Sequence, residues 1–162
     1  MIHLIELKLC IFPNDPIISY YNKGEIKNRY FNPRNLFDEI DIISFTECDI
    51  EESKVQILVG NAKLKIHSVG KANIINRSSK KNKILKLVRK INPDIIRAYN
   101  PLIEGWIAAY CSQKIGVPLF VSLHIQYDGL RQLIRSHNNK KFLVLKYTRK
   151  FINHTPYQKL IR

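Results

Sequence analysis

The chain has 162 residues, 45% hydrophobic and 10% aromatic, and a formal charge of +14. That suits one domain with a sizeable core and argues against a disordered chain. Cys10, Cys48 and Cys111 lie far apart with no CxxC pair, which argues against a disulfide framework or a zinc site and fits a reducing, cytoplasmic compartment.

The charge is unevenly placed. Seven of the 13 acidic residues fall between Asp38 and Glu52, and none falls between Ser53 and Pro93 or after Asp128. Basic blocks of this kind favour polyanions: nucleic acid, anionic lipid headgroups or phosphorylated small molecules. The plain alternative is a soluble basic surface.

In chain order, residues 2–11 read as a first strand. MIHLIELKLCIF is too short and too interrupted by Glu6 and Lys8 for a signal peptide. No run approaches the roughly 18 apolar residues of a membrane span. Residues 12–31 hold two prolines, a glycine and four further aromatic residues, and read as a long irregular loop of the functional kind. NPRNLFDE suits one short helical turn. IDIISFT (40–46) is a second strand. VQILVG (55–60) and KLKIHSVG (63–70) are further strand candidates, the latter with Lys63, Lys65 and His67 on a wet face.

SSKKNKILKLVRKI (78–91) predicts an amphipathic helix capped by Ser79, with Ile84, Leu87, Val88 and Ile91 on one face. Its basic face reads as solvated, with a membrane-surface contact as the alternative. DIIRAY (94–99) is a strand. Asn100-Pro101 predicts a helix start, with Glu104 in its first turn and Gly116 as its stop. Gly105, Ala108 and Ala109 allow close approach to a sheet. PLFVSLH (118–124) is apolar throughout, as a strand covered on both faces should be. Residues 94–124 therefore form a strand–helix–strand unit, and the fold class is α/β with a Rossmann-like, largely parallel sheet flanked by helices. Beyond Asp128 the pattern is helical again, most clearly at 140–152.

Ligands of open parallel sheets bind outside the carboxyl ends of the strands. Three such ends stand out: the loop of Gly24 and Glu25, the Tyr99-Asn100 junction, and His124 with Asp128 four residues on. His124 can exchange a hydrogen bond when neutral or offset phosphate charge when protonated. Its other role is structural, bonded to a backbone carbonyl. His124 and Asp128 lack a third metal ligand nearby in sequence. No GxGxxG follows the first strand and no GxxxxGK[ST] occurs, which argues against dinucleotide and P-loop sites. Trp106 reads as core.

The stretch NPDIIRAYNPLIEGWIAAYCSQKIGVPLFVSLHIQYD (92–128) resembles the N-terminal domain of family 4-like glycosyltransferases of the GT-B fold. That family carries a "PDvIha" strand, a glycine- and alanine-containing helix, then "aKklGiPlVvslHg", often with "yD" soon after. Residues 23–45 look like the earlier part of the same domain, while 46–91 fit only in element order. RAYN (97–100) stands where many members have a histidine pair.

The resemblance implies one Rossmann-like, acceptor-side domain over 1–162, the N-terminal half of a GT-B architecture. It implies transfer of a sugar from a nucleotide-sugar donor to an acceptor hydroxyl, in glycan or glycolipid synthesis, with no metal and no further cofactor. His124 then maps to the catalytic "slH" histidine. Gly24, Glu25, Tyr99, Asn100, Glu104, Tyr127 and Asp128 would bind substrate. The donor-binding domain with its E-x7-E motif is expected from elsewhere, on a missing C-terminal domain or a partner chain, and this chain alone is expected to be inactive. Implied partners are a sugar or lipid-linked acceptor and an anionic membrane surface, with a cytoplasmic location that includes the inner membrane face. The competing expectation is a basic α/β module binding nucleic acid or an anionic surface. Against its nucleic-acid form, no known motif and no interleaving of aromatics with the basic blocks is visible.

Overall fold

A computed structural model describes residues 6–72 and 76–122. Among these residues five strands form one parallel sheet: β1 (Lys8–Phe12), β2 (Glu39–Ser44), β3 (Lys63–Ser68), β4 (Ile95–Ala98) and β5 (Leu119–Val121), in the order β3-β2-β1-β4-β5. Four α-helices join them: α1 (Ile17–Asn22), α2 (Glu52–Val55), α3 (Arg77–Ile91) and α4 (Ile103–Ile115). The expected Rossmann-like α/β class is therefore what the chain adopts.

The central strand explains the layering. Along β1, Leu9 and Ile11 point to one face, and Cys10 and Phe12 to the other. The first pair joins Ile17, Ile40, Ile42, Val55 and Leu58 in a core under α1 and α2. The second pair joins Ile43, Ile84, Val88, Ile96, Ile107 and Cys111 under α3 and α4. Each fully buried Ile or Phe contributes roughly 1.5–3 kcal/mol of hydrophobic stabilisation. β1, buried on both sides, anchors both layers.

Several expectations change. Residues 55–60 are not a strand: Val55 ends α2, a 3-10 turn follows at Gln56–Leu58, and Gly60 takes a positive φ of 66°. Val55, Leu58 and Val59 are buried from that turn, so tertiary packing uses their apolar side chains without pairing their backbone. The aromatic loop contains α1. The NPRN segment makes turns, through Asn32 N–H to the Arg29 carbonyl and Asn35 N–H to the Asn32 carbonyl. Ser79 lies inside α3, which begins after Asn76. Among the described strands β5 lies at the edge of the sheet, and Phe120 is 62% exposed, so its outward face is open rather than covered. The polar face of β3 is only partly wet, because acids on β2 engage it: Glu39 pairs with Lys65, and Asp41 with His67.

The Gly116 stop is as read. Its φ of 77° is left-handed, and its N–H bonds the Ser112 carbonyl at 2.8 Å. The candidate residues His124, Tyr127 and Asp128, and the helical pattern at 140–152, lie outside the described residues.

Candidate functional site

The strand order reverses between β1 and β4. From β1 the chain proceeds to β2 on one side, and from β4 to β5 on the other. The chain leaves the two carboxyl ends toward opposite sides of the sheet, and at such a reversal open parallel sheets hold ligands in a crevice. The described wall of that crevice is built from residues 13–16 and 99–104.

Asn100 organises it. The side chain is only 3% exposed. Its Nδ2 donates to Asn14 Oδ1 at 3.0 Å, tying the two loops together. Its Oδ1 accepts the Leu102 N–H at 2.9 Å. This closes a turn ahead of the helix rather than capping it directly, because α4 begins two residues later than Asn100-Pro101 suggests. Gly105 makes the turn possible: a Cβ there would collide with the Asn100 carbonyl oxygen. The glycine brings the first turn of α4 against the end of β4.

Glu104 lies in that first turn, where the helix dipole favours a carboxylate. Burial pushes its carboxyl above the ordinary range, and the nearby Asp15 adds to the rise. Hydrogen bonds from its own N–H and from Asn100 oppose it. Such a group holds a proton to higher pH than usual, so it can donate or accept a hydrogen bond from a hydroxyl. Asp15, on the facing loop, pairs with Lys23 at 3.6 Å.

The other sequence-predicted residues stand apart in role. Tyr99 is 3% exposed and supports the crevice from below. Its ring meets Phe31 edge-on at 5.5 Å and stacks on Tyr30 at 6.0 Å, with the Arg97 guanidinium 4.5 Å away. Burial raises its phenol well above the usual tyrosine range. Gly24, at φ 69°, terminates α1, with its N–H on the Tyr21 carbonyl and the Glu25 N–H on the Tyr20 carbonyl. Gly24 and Glu25 are exposed, and it is the neighbouring Lys23 that reaches the crevice through Asp15.

Asn14, Asp15 and Asp49 escape a reading of the sequence. Asp49 Oδ2 accepts the Ile17 N–H at 2.9 Å, and its Oδ1 accepts the Ile18 N–H at 2.6 Å. Ser44 Oγ donates to the same carboxylate. The start of α1 follows the first strand, where dinucleotide-binding sheets hold a phosphate; here it already has an internal anion. That agrees with the missing GxGxxG. Only the turn residues of PNDP hinted at Asn14 and Asp15, and nothing local marks Asp49.

A second polar group lies within the sheet. Asp41, 1% exposed, has Oδ1 2.6 Å from His67 Nε2, while its Oδ2 has no hydrogen-bond partner among the described residues. A lone carboxylate in IDIISFT was its only sequence signal. Among the described residues, no group of three His, Cys, Asp or Glu is placed to hold a metal ion, and no helix is long and apolar enough to cross a membrane.

No family model and no curated protein matches the chain. Solved structures do. The C-terminal domain of the PF1911 hydrogenase from Pyrococcus furiosus is 13% identical, covering 72% of this chain and 90% of that one, with a TM-score of 0.46. A protein assigned as a UDP-N-acetylglucosamine 2-epimerase from Listeria monocytogenes is 12% identical, covering 73% of this chain and 31% of that one, with a TM-score of 0.48.

Proposed function

We propose that this chain is the acceptor-side, Rossmann-like half of a GT-B glycosyltransferase, and that the β1/β4 crevice holds the acceptor. The observation that carries the reading is the Asn14–Asn100 bridge across the point of strand reversal, with Glu104 beside it. The resemblance of residues 92–128 to the family 4-like N-terminal domain supports it from the sequence side.

The crevice chemistry suits an acceptor better than a donor. A carboxyl of raised pKa and the exposed Asn14 carboxamide, which Asn100 holds in place, exchange hydrogen bonds with hydroxyls. The α1 backbone N–H groups, which would otherwise attract a phosphate, are taken by Asp49. On this reading the nucleotide sugar is held by a second Rossmann-like domain, on the same polypeptide or a partner. Glu104 orients the attacking hydroxyl. The electrostatic stabilisation of the leaving nucleoside diphosphate comes from the opposite wall.

Ligand-observed saturation-transfer NMR tests this. The full chain is mixed with simple neutral glycosides and, separately, with nucleotide sugars. The reading expects glycoside signals that weaken in Glu104→Gln and Asn100→Ala, and no comparable nucleotide signal. Glycoside signals unchanged in both variants, or a preference for nucleotides, would contradict it.

A further inference from the structure

Successive side chains of β4 alternate between the two faces of the sheet. Ile96 and Ala98 enter the core under α3 and α4, whereas Ile95 and Tyr99 pack in the layer on the α1 and α2 side. Arg97 therefore projects to the α1 side. Its register partner on β1, Ile11, is buried in that same layer. Its register partner on β5, Phe120, is 62% exposed. A half-buried arginine thus stands where an apolar side chain would simply extend the core, two residues before Tyr99 and three before Asn100.

Two contacts fix the guanidinium. Its carbon lies 4.5 Å from the Tyr99 ring centre, and Nη2 donates to Ser122 Oγ at 3.3 Å. The Ser122 N–H in turn bonds the Ala98 carbonyl at 2.8 Å, so the serine is itself held by the end of β4. No carboxylate lies at ion-pair distance from Arg97 among the described residues, and its remaining N–H donors find no acceptor there. The two acids of the crevice leave it so: Asp15 pairs with Lys23, and Glu104 hydrogen-bonds with Asn100.

We infer that Arg97 binds an anionic group of the acceptor, a carboxylate or a phosphate, and so selects an acidic acceptor over a neutral one. The substrate class rests on the acceptor reading of the crevice; the anion site rests on the geometry of Arg97. A guanidinium is charged at every accessible pH, and its planar fork offers two parallel N–H donors to a carboxylate or phosphate. Stacking on Tyr99 orients the fork and leaves its edge free. Its half-buried position weakens the screening that dilutes a fully exposed charge. Tyr30, 37% exposed and stacked on Tyr99, continues an aromatic wall beside it. An acceptor in this crevice then meets hydroxyl-handling groups at Asn14 and Glu104 and a cation at Arg97.

The test titrates the full chain with methyl glucoside, methyl glucuronide, glucose 6-phosphate and UDP-glucose, reading affinity from backbone amide shifts. At least one of the two acids should bind about tenfold or more tightly than the neutral glucoside, and the one that leads identifies the anion as carboxylate or phosphate. In Arg97→Gln that preference should fall to about one. Arg97→Lys keeps the charge without the fork and should keep only part of it, a pattern that a merely structural arginine would not produce. Equal affinity of the parent protein for the glucoside and both acids, or a preference unchanged in both variants, would overturn the inference and leave the acceptor reading standing. An Arg97-dependent preference for UDP-glucose over both acids would also overturn it, by assigning the cation to a donor. A preference for the acids that depends on Arg97 but not on Glu104→Gln or Asn100→Ala would uphold the anion site and contradict the acceptor reading. Binding of none of the four would overturn both.

Discussion

The Asn100 side chain donates to Asn14 across 3.0 Å and thereby joins the ends of β1 and β4. Asn100 is buried, whereas Asn14 is exposed, so the two ends of the bond are not equivalent. Asn100→Ala removes a buried amide together with its hydrogen bonds to Asn14, Leu102 and Glu104 and should cost about 1–3 kcal/mol. Asn14→Ala exposes a group to water and should cost less than about 1 kcal/mol. Urea unfolding of both variants checks the asymmetry; equal losses would contradict the geometry.

Gly105 is the closest packing point beneath the crevice. An alanine there must push back the Asn100 backbone carbonyl, which has no flexible side chain to yield. Gly105→Ala should destabilise by roughly 1–3 kcal/mol and disturb the Asn14–Asn100 bridge. A Gly105→Ala protein with unchanged unfolding midpoint and unchanged Asn100 side-chain amide resonances would refute that.

Glu104 and Glu39 predict opposite pH dependences. Burial raises the folded pKa of Glu104. Its contribution is therefore fully present below the ordinary carboxylate pKa and is lost as pH rises through the folded value. Glu39 is lowered, chiefly by its hydrogen bond from Lys65. Its contribution is present above the ordinary value and lost as pH falls through the folded one. Glu104→Gln should flatten the fall in melting temperature on the alkaline side of the carboxylate range, and Glu39→Gln should flatten the fall on the acid side. Profiles of both variants parallel to the parent protein would contradict these assignments.

Asp49 holds the start of α1 from the loop after β2. Asp49→Ala would leave the Ile17 and Ile18 N–H groups without that acceptor, at a cost of about 1–2 kcal/mol. Hydrogen exchange at Ile17 and Ile18 should accelerate more than at the β1 amides. Uniform acceleration would mean that Asp49 supports the whole fold rather than the helix start.

The strand–helix–strand unit from 94 onward was legible because local signals agree: an apolar strand, a turn at Asn100-Pro101, a small-residue helix and a glycine stop. Where packing overrides local preference, the sequence misleads. Val55, Ile57 and Val59 have β-branched side chains, yet Val55 and Val59 are buried from a turn. The apolar composition of 118–124 concealed the exposed outward face of Phe120. The crevice was half legible. Asn100 and Glu104 announce themselves at a helix start. Asn14 is 86 positions from its partner Asn100, and Asp49 is 32 from Ile17, so only the folded sheet brings those pairs together. Tyr99 was placed at the right strand end, but its ring belongs to the core beneath the site.

On the proposed reading, ligand enters at the β1/β4 strand reversal. Backbone amide chemical-shift mapping of the full chain, titrated with a glycoside identified by saturation transfer, tests it most directly. The largest shifts should cluster at residues 14–15 and 99–105, and Glu104→Gln should diminish them. Shifts concentrated on α3, on the Asp41–His67 pair or spread over the surface would contradict it.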